Sequence, residues 1–157
     1  MIGTRVFGIA CGGREGACKF ANSSVRVAKP TILVVDDDPA VLASTTRCLL
    51  LAGYDVLQAH DGMQALKLVQ ETNHSRISLV VTDIVMPHLR GDDLGRLLRH
   101  TNPALPVLYM SAFSAPTVDC VSEAEFEGRW SVKPFDFDEL TARVQGLLEE
   151  ARRLSAL

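Results

Sequence analysis

The sequence predicts an α/β protein, a parallel five-stranded sheet with helices on both faces. Two observations carry this. Short, nearly all-apolar runs rich in β-branched residues alternate five times with stretches of helical period. The runs lack the in–out alternation of a strand with one wet face, so each is covered on both sides. A third observation concerns chemistry: three of the runs end at Asp36, Asp83 and Ser111, and the last leads into Lys133. Beyond the carboxyl ends of parallel strands is where such sheets collect functional groups.

Taken in order, Ile32–Val35 reads as the first strand, entered at Thr31. Asp38 caps the following helix and Pro39 suits its first turn. Val41, Thr45, Cys48, Leu49 and Ala52 fall on one face of that helix, and Gly53 closes it. Tyr54–Ala59 is a second strand. Asp61 and Gly62 turn into a helix bearing Ala65, Leu66 and Val69. Leu79–Thr82 is a third strand ending at Asp83. A third helix spans about Asp92–Arg99, a fourth strand Pro106–Met110, and a fourth helix begins near Pro116. Trp130–Val132 is a short fifth strand. Asp136 and Glu139 have capping-box spacing for a last helix, whose apolar stripe is Leu140, Val144, Leu147 and Leu148.

At 157 residues the chain suits one domain, here residues 30–150, with a core that needs no staples. Residues 1–29 are rich in Gly, Ser and small residues and read as a poorly packed extension with a short strand near Val6–Ile9; residues 151–157 read as a tail. A net charge of −3 offers no basic surface for nucleic acid, and no apolar run is long enough to span a membrane. The first residues lack the continuous apolar core of a signal peptide. Cys11, Cys18, Cys48 and Cys120 form no CxxC pair, and Cys48 reads as a small buried apolar residue. A reducing cytoplasmic compartment follows. His60, His74, His88 and His100 show no metal spacing, and the acids and arginines of EEARR read as a solvated helix end.

The residues leave two readings of the acids open. Asp36 and Asp37 could simply lead into a helix N-terminus, where the dipole favours them, and Asp83 could be a loop-starting Asp. Gathered above adjacent strands, however, three carboxylates raise one another's proton affinity unless something positive intervenes. A divalent cation with a preference for oxygen ligands relieves that repulsion, and Lys133 can supply a compact positive charge. The Lys133–Pro134 bond is a candidate for the cis form.

With these residues in view, ILVVDDDP, VTDIVMPHLRG, VLYMSA and WSVKPF resemble the receiver domain of two-component response regulators from Thr31 to about Leu148, and loosely the receivers of hybrid histidine kinases. The resemblance implies a flavodoxin-like sheet of order 2-1-3-4-5. It implies Asp83 as phosphoacceptor and Mg2+ as cofactor, with Mn2+ able to substitute. Asp37 would bind the metal directly, Asp36 mainly through coordinated water, and Asp83 and the Val85 main-chain carbonyl would complete the protein ligands. Ser111 would be the switch hydroxyl, Lys133 the lysine that pairs with the phosphoryl group, and Trp130 the aromatic switch. The implied partner is a histidine kinase or a histidine phosphotransfer protein, with a homodimer through the fourth helix, fifth strand and fifth helix as a further option. Trp130 stands where Tyr or Phe is usual, and Arg90 where an acid is common. The expectation is thus a self-phosphorylating signalling domain and not an enzyme. Its rivals are a phosphate-independent receiver used as a binding module and a small Mg-dependent phosphatase. A nucleotide site is disfavoured, since the first strand leads to acids and not to a glycine-rich loop.

Overall fold

The computed structural model describes residues 29–72, 76–112 and 129–156. Its elements are β1 (Thr31–Val35), α1 (Pro39–Leu51), β2 (Asp55–Ala59), α2 (Gly62–Glu71), β3 (Ile77–Asp83), α3 (Gly91–Thr101), β4 (Val107–Ser111), β5 (Trp130–Val132) and a final helix, Phe137–Ser155. All strand pairs are parallel, and the sheet order is β2-β1-β3-β4-β5. The strand expected near Val6–Ile9 and the helix from Pro116 lie outside the described residues, as do Cys11, Cys18, Cys120 and His74. No described helix is long and apolar enough to cross a membrane.

The apolar strands divide their side chains between two cores, because successive side chains point to opposite faces. Leu33, Val35, Val80, Val107 and Tyr109 pack under α2 and α3, against Ala65, Val69, Leu94 and Leu98. Ile32, Val34, Leu79, Val81, Leu108 and Met110 pack under α1 and the final helix, against Leu42, Leu49, Leu140 and Val144. Each fully buried Leu or Val contributes about 1.5–3 kcal/mol relative to exposure.

The helix ends follow local chemistry. Asp38 Oδ1 accepts from the N–H groups of Ala40 at 2.8 Å and Val41 at 3.3 Å. Asp61 Oδ1 accepts from Gln64 N–H at 2.7 Å, and Gln64 Oε1 accepts in return from His60 N–H at 2.7 Å. Gly53 leaves α1 at φ +91°, a conformation L side chains resist.

Three expectations need correction. The buried face of α1 is Leu42, Thr45, Thr46 and Leu49, while Val41 and Cys48 are half-buried and Ala52 is exposed at the C-cap. Thr45 and Leu49 lie on the expected face, and Leu42 and Thr46 are buried beside them because the helix turns a slightly different stripe inward. Asp136 makes no side-chain capping bond. Glu139 is engaged elsewhere, accepting from Ser131 Oγ at 3.2 Å and Arg143 Nε at 3.3 Å. The final helix also runs through residue 150 to Ser155, so most of the expected tail is helical.

Candidate functional site

Strand register brings the predicted residues to one rim. Val35 pairs with Thr82, Asp83 with Met110, and Ser111 with Val132. Asp36 therefore follows β1, Asp83 ends β3, Ser111 ends β4 and Lys133 follows β5. The sheet continues into this rim: Asp36 N–H donates to Ala59 O at 3.2 Å, Ile84 N–H to Met110 O at 3.1 Å, and Lys133 N–H to Ser111 O at 2.7 Å. Side-chain parity then selects the partners. Asp36 shares the parity of Val34, Asp83 that of Val81, and Lys133 that of Ser131, which reaches Glu139 of the final helix.

The result is a buried charge cluster. Lys133 Nζ donates to Asp36 Oδ2 at 2.6 Å and to Asp83 Oδ1 at 2.9 Å. Asp36 is 1% exposed and Asp83 8%, whereas Asp37 faces solvent. The other Asp36 oxygen accepts from Asp38 N–H at 2.9 Å, which ties the cluster to the start of α1. One carboxylate oxygen from each of Asp36, Asp37 and Asp83 lies within 4.8 Å of the others. Lys133–Pro134 is cis.

Charge in this setting is held in tension. Burial pushes the Asp83 carboxyl above its ordinary range; Lys133 opposes this, and the charges of Asp36 and Asp37 add to it. For Lys133, burial acts downward, but its hydrogen bonds to Asp36 and Asp83 prevail and its proton is held more tightly than usual. One ammonium thus pairs with two carboxylates of a cluster of three. Three hard oxygen donors around a common point, short of positive charge and open on the Asp37 side, suit a divalent cation.

The remaining predicted residues border this cluster. Ser111 is buried, 5% exposed, at the end of β4. Val85 lies in the loop two residues past Asp83 and is 60% exposed. Trp130 opens β5, half-buried against the core under α2 and α3, and its carbonyl accepts from Arg143 Nη1 at 2.9 Å. Arg90 pairs with buried Asp92 at 3.1 Å. His88 is an exposed loop residue at φ 66°.

Sequence reasoning passed over Thr82 and Gly91, which both touch the main chain of Asp83. The signal for Thr82 was a hydroxyl among the apolar residues that lead to Asp83; for Gly91 the sequence showed only a glycine where a helix opens, not what it faces.

Comparison with known proteins agrees with this geometry. Residues 32–145 match the family described as response regulator receiver domain. The response regulator MprA of Mycobacterium ulcerans (strain Agy99) is 37% identical over 121 residues, covering 77% of this chain and 51% of that protein. MprA of Mycobacterium avium (strain 104) is likewise 37% identical. The chain thus spans about half the length of the curated relatives it matches. Among solved structures, a response regulator receiver domain from Clostridium thermocellum superposes with a TM-score of 0.70 at 27% identity, covering 80% of this chain and 98% of that one. The receiver domain of the hybrid histidine kinase CckA superposes with a TM-score of 0.61 at 30% identity, covering 75% and 98%.

Proposed function

The chain belongs to the response regulator receiver family, and on that premise we propose that Asp83 accepts a phosphoryl group from a phosphohistidine of a histidine kinase or a histidine phosphotransfer protein. The family's role is that of a phosphoacceptor switch and not of a turnover enzyme. The observation that carries the assignment to Asp83 is its place at the tip of β3, hydrogen-bonded to Lys133 and within 4.8 Å of the Asp36 and Asp37 oxygens. The hybrid-kinase receiver among the structural neighbours supports a histidine-kinase partner.

Asp36, Asp37, Asp83 and the Val85 carbonyl are the groups that would hold Mg2+, or Mn2+ in its place. Such an ion, when bound, supplies positive charge to the oxygens of the transferred group. A carboxylate oxygen of Asp83 attacks phosphorus in line. The P–O bond to Asp83 forms as the P–N bond breaks, and the histidine nitrogen keeps the electron pair. Lys133 already touches Asp83 and is placed to follow the charge onto the phosphoryl oxygens. The Ser111 hydroxyl donates to one of those oxygens, and Trp130 changes packing with it, so the phosphorylated state favours a second arrangement of β4 and β5. Water then attacks phosphorus, the P–O bond to Asp83 breaks, inorganic phosphate leaves, and the Asp83 carboxylate is restored.

Intact mass after incubation with MgCl2 and acetyl phosphate tests this. The expected gain is about 80 Da, dependent on MgCl2 and lost in Asp83→Asn. If folded protein gains no mass from acetyl phosphate or from a phosphohistidine donor, phosphorylation is refuted and a phosphate-independent binding module takes its place.

A further inference from the structure

The carboxylate of Asp83 can be no better placed than the peptide units that carry it. Those units are gripped from two sides. Thr82, fully buried, donates its hydroxyl to Asp83 O at 2.9 Å. From the other side the chain returns at Gly91 so closely that a Cβ there would lie 1.9 Å from Asp83 O, 2.9 Å from Asp83 C and 3.0 Å from Thr82 Oγ1. Gly91 N–H donates to Ile84 O at 3.0 Å, and Ile84 N–H to Met110 O at 3.1 Å. Three hydrogen bonds and one contact open only to glycine therefore fix the main chain between the Asp83 side chain and Val85.

Thr82 is fully buried and follows the parity of Val80, which packs in the core under α2 and α3. A hydroxyl buried there costs stability unless it is bonded, and the bond it makes is to the functional residue's own carbonyl. Gly91 is likewise not explained by helix preference, since it is the first helical residue, behind Arg90, and glycine is among the weakest helix formers. Both residue types make sense as a grip on one peptide.

We propose that Thr82 and Gly91 are positioning residues, a main-chain clamp that sets the Asp83 carboxylate and the Val85 carbonyl at the spacing a cation and a phosphoryl group require. This rests on the reading of Asp83 as phosphoacceptor. The clamp acts through Asp83 and touches no substrate. Loss of one hydrogen bond at the clamp predicts about a tenfold effect. Displacement of the Asp83 peptide by a methyl group predicts about a hundredfold effect, because reacting groups tolerate misplacement of only a fraction of an ångström.

The test pairs Thr82→Val, which keeps shape and loses the hydroxyl, with Thr82→Ser, which keeps the hydroxyl and loses the methyl. Two readouts are needed: calorimetric titration with MgCl2 alone, and the rate of phosphoryl gain from acetyl phosphate as a function of MgCl2. Thr82→Val should raise the half-saturating MgCl2 about tenfold, and Thr82→Ser should restore it. Gly91→Ala should slow phosphoryl gain about a hundredfold; because it can fail to fold, the Thr82 pair decides. The clamp is refuted if Thr82→Val titrates like the wild type, or if Thr82→Ser is as impaired as Thr82→Val, which would make the position a matter of packing. Failure of the underlying reading looks different: the wild type gains no phosphoryl group, or Asp83→Asn still gains one, whatever the calorimetry shows.

Discussion

Replacing Lys133 with Met keeps the length and apolar stem of the side chain and removes its charge. The ammonium makes two charge-assisted hydrogen bonds, 2.6 Å to Asp36 and 2.9 Å to Asp83, and is 18% exposed. Such bonds contribute roughly 1.5–3 kcal/mol each, and part of the sum is returned because the lysine no longer needs desolvating. A net loss of about 3 kcal/mol at pH 7.5 follows. With an m-value of about 1.5 kcal/mol/M, the urea midpoint should fall by about 2 M. The pH dependence has a definite sign. Asp83 already has a raised pKa in the folded protein, and removing the nearest positive charge raises it further. A carboxyl raised in this way is easiest to accommodate when protonated, so the variant is closest to wild type below about pH 4 and falls behind as pH rises toward 7. Lys133, whose own pKa is raised, contributes its stability at all pH values below its titration, so as Asp83 ionises the wild type loses less than the variant. MgCl2 should narrow the gap, since a cation at ten times its dissociation constant adds about 1.4 kcal/mol and finds a more negative site in the variant. Urea melts at pH 5 and 7.5, with and without MgCl2, give all four numbers. An identical deficit in all four would mean that Lys133 acts by packing, and the electrostatic account would be wrong.

The Asp83→Asn variant, measured without divalent ions, should be at least as stable as the wild type at pH 7.5, because it removes a buried charge that Asp36 and Asp37 repel while Lys133 keeps Asp36; a drop of more than about 1 kcal/mol in urea would contradict this. Thr45→Val should be neutral or stabilise by up to about 1 kcal/mol, since Thr45 Oγ1 is buried without a hydrogen-bond partner. Thermal melts would show the opposite sign if that hydroxyl were satisfied. Leu140→Ala, at a fully buried position under the final helix, should cost about 2–5 kcal/mol in urea unfolding, and a loss below 1 kcal/mol would mean that the helix is not anchored there. Gly53→Ala should cost about 1 kcal/mol from backbone conformation alone, because no atom lies within 4 Å of the added methyl.

What the sequence revealed and what it hid divide along physical lines. The strands were legible because burial on both faces demands continuous apolar runs, and Ile32–Val35 or Leu79–Val81 have almost no other use. The rim residues were legible because each interrupts such a run at its carboxyl end. Contacts between distant side chains were not. The Asp136–Glu139 spacing suits a capping box, yet Glu139 accepts from Ser131 and Arg143, groups that only tertiary packing brings near. Thr46 on α1 counts as polar in a periodicity but lies buried in the fold. Gly91 carries no sign in the sequence of what it faces; the reason for a glycine appears only when the Asp83 carbonyl is seen against it.

The same comparison bears on why this site works where it does. A cluster of three carboxylates and one lysine would relax if its members could move apart. Here three of the four are held by main chain at the rim of the sheet: Asp36 through Ala59 and Asp38, Asp83 through the bonds flanking Ile84, and Lys133 through Ser111. The two apolar cores beneath supply the stability that holds unfavourable charges together. The repulsion is therefore local and removable by a divalent cation. Because Lys133 N–H donates to Ser111 O at 2.7 Å, the position of the ammonium is tied to the ends of β4 and β5 together.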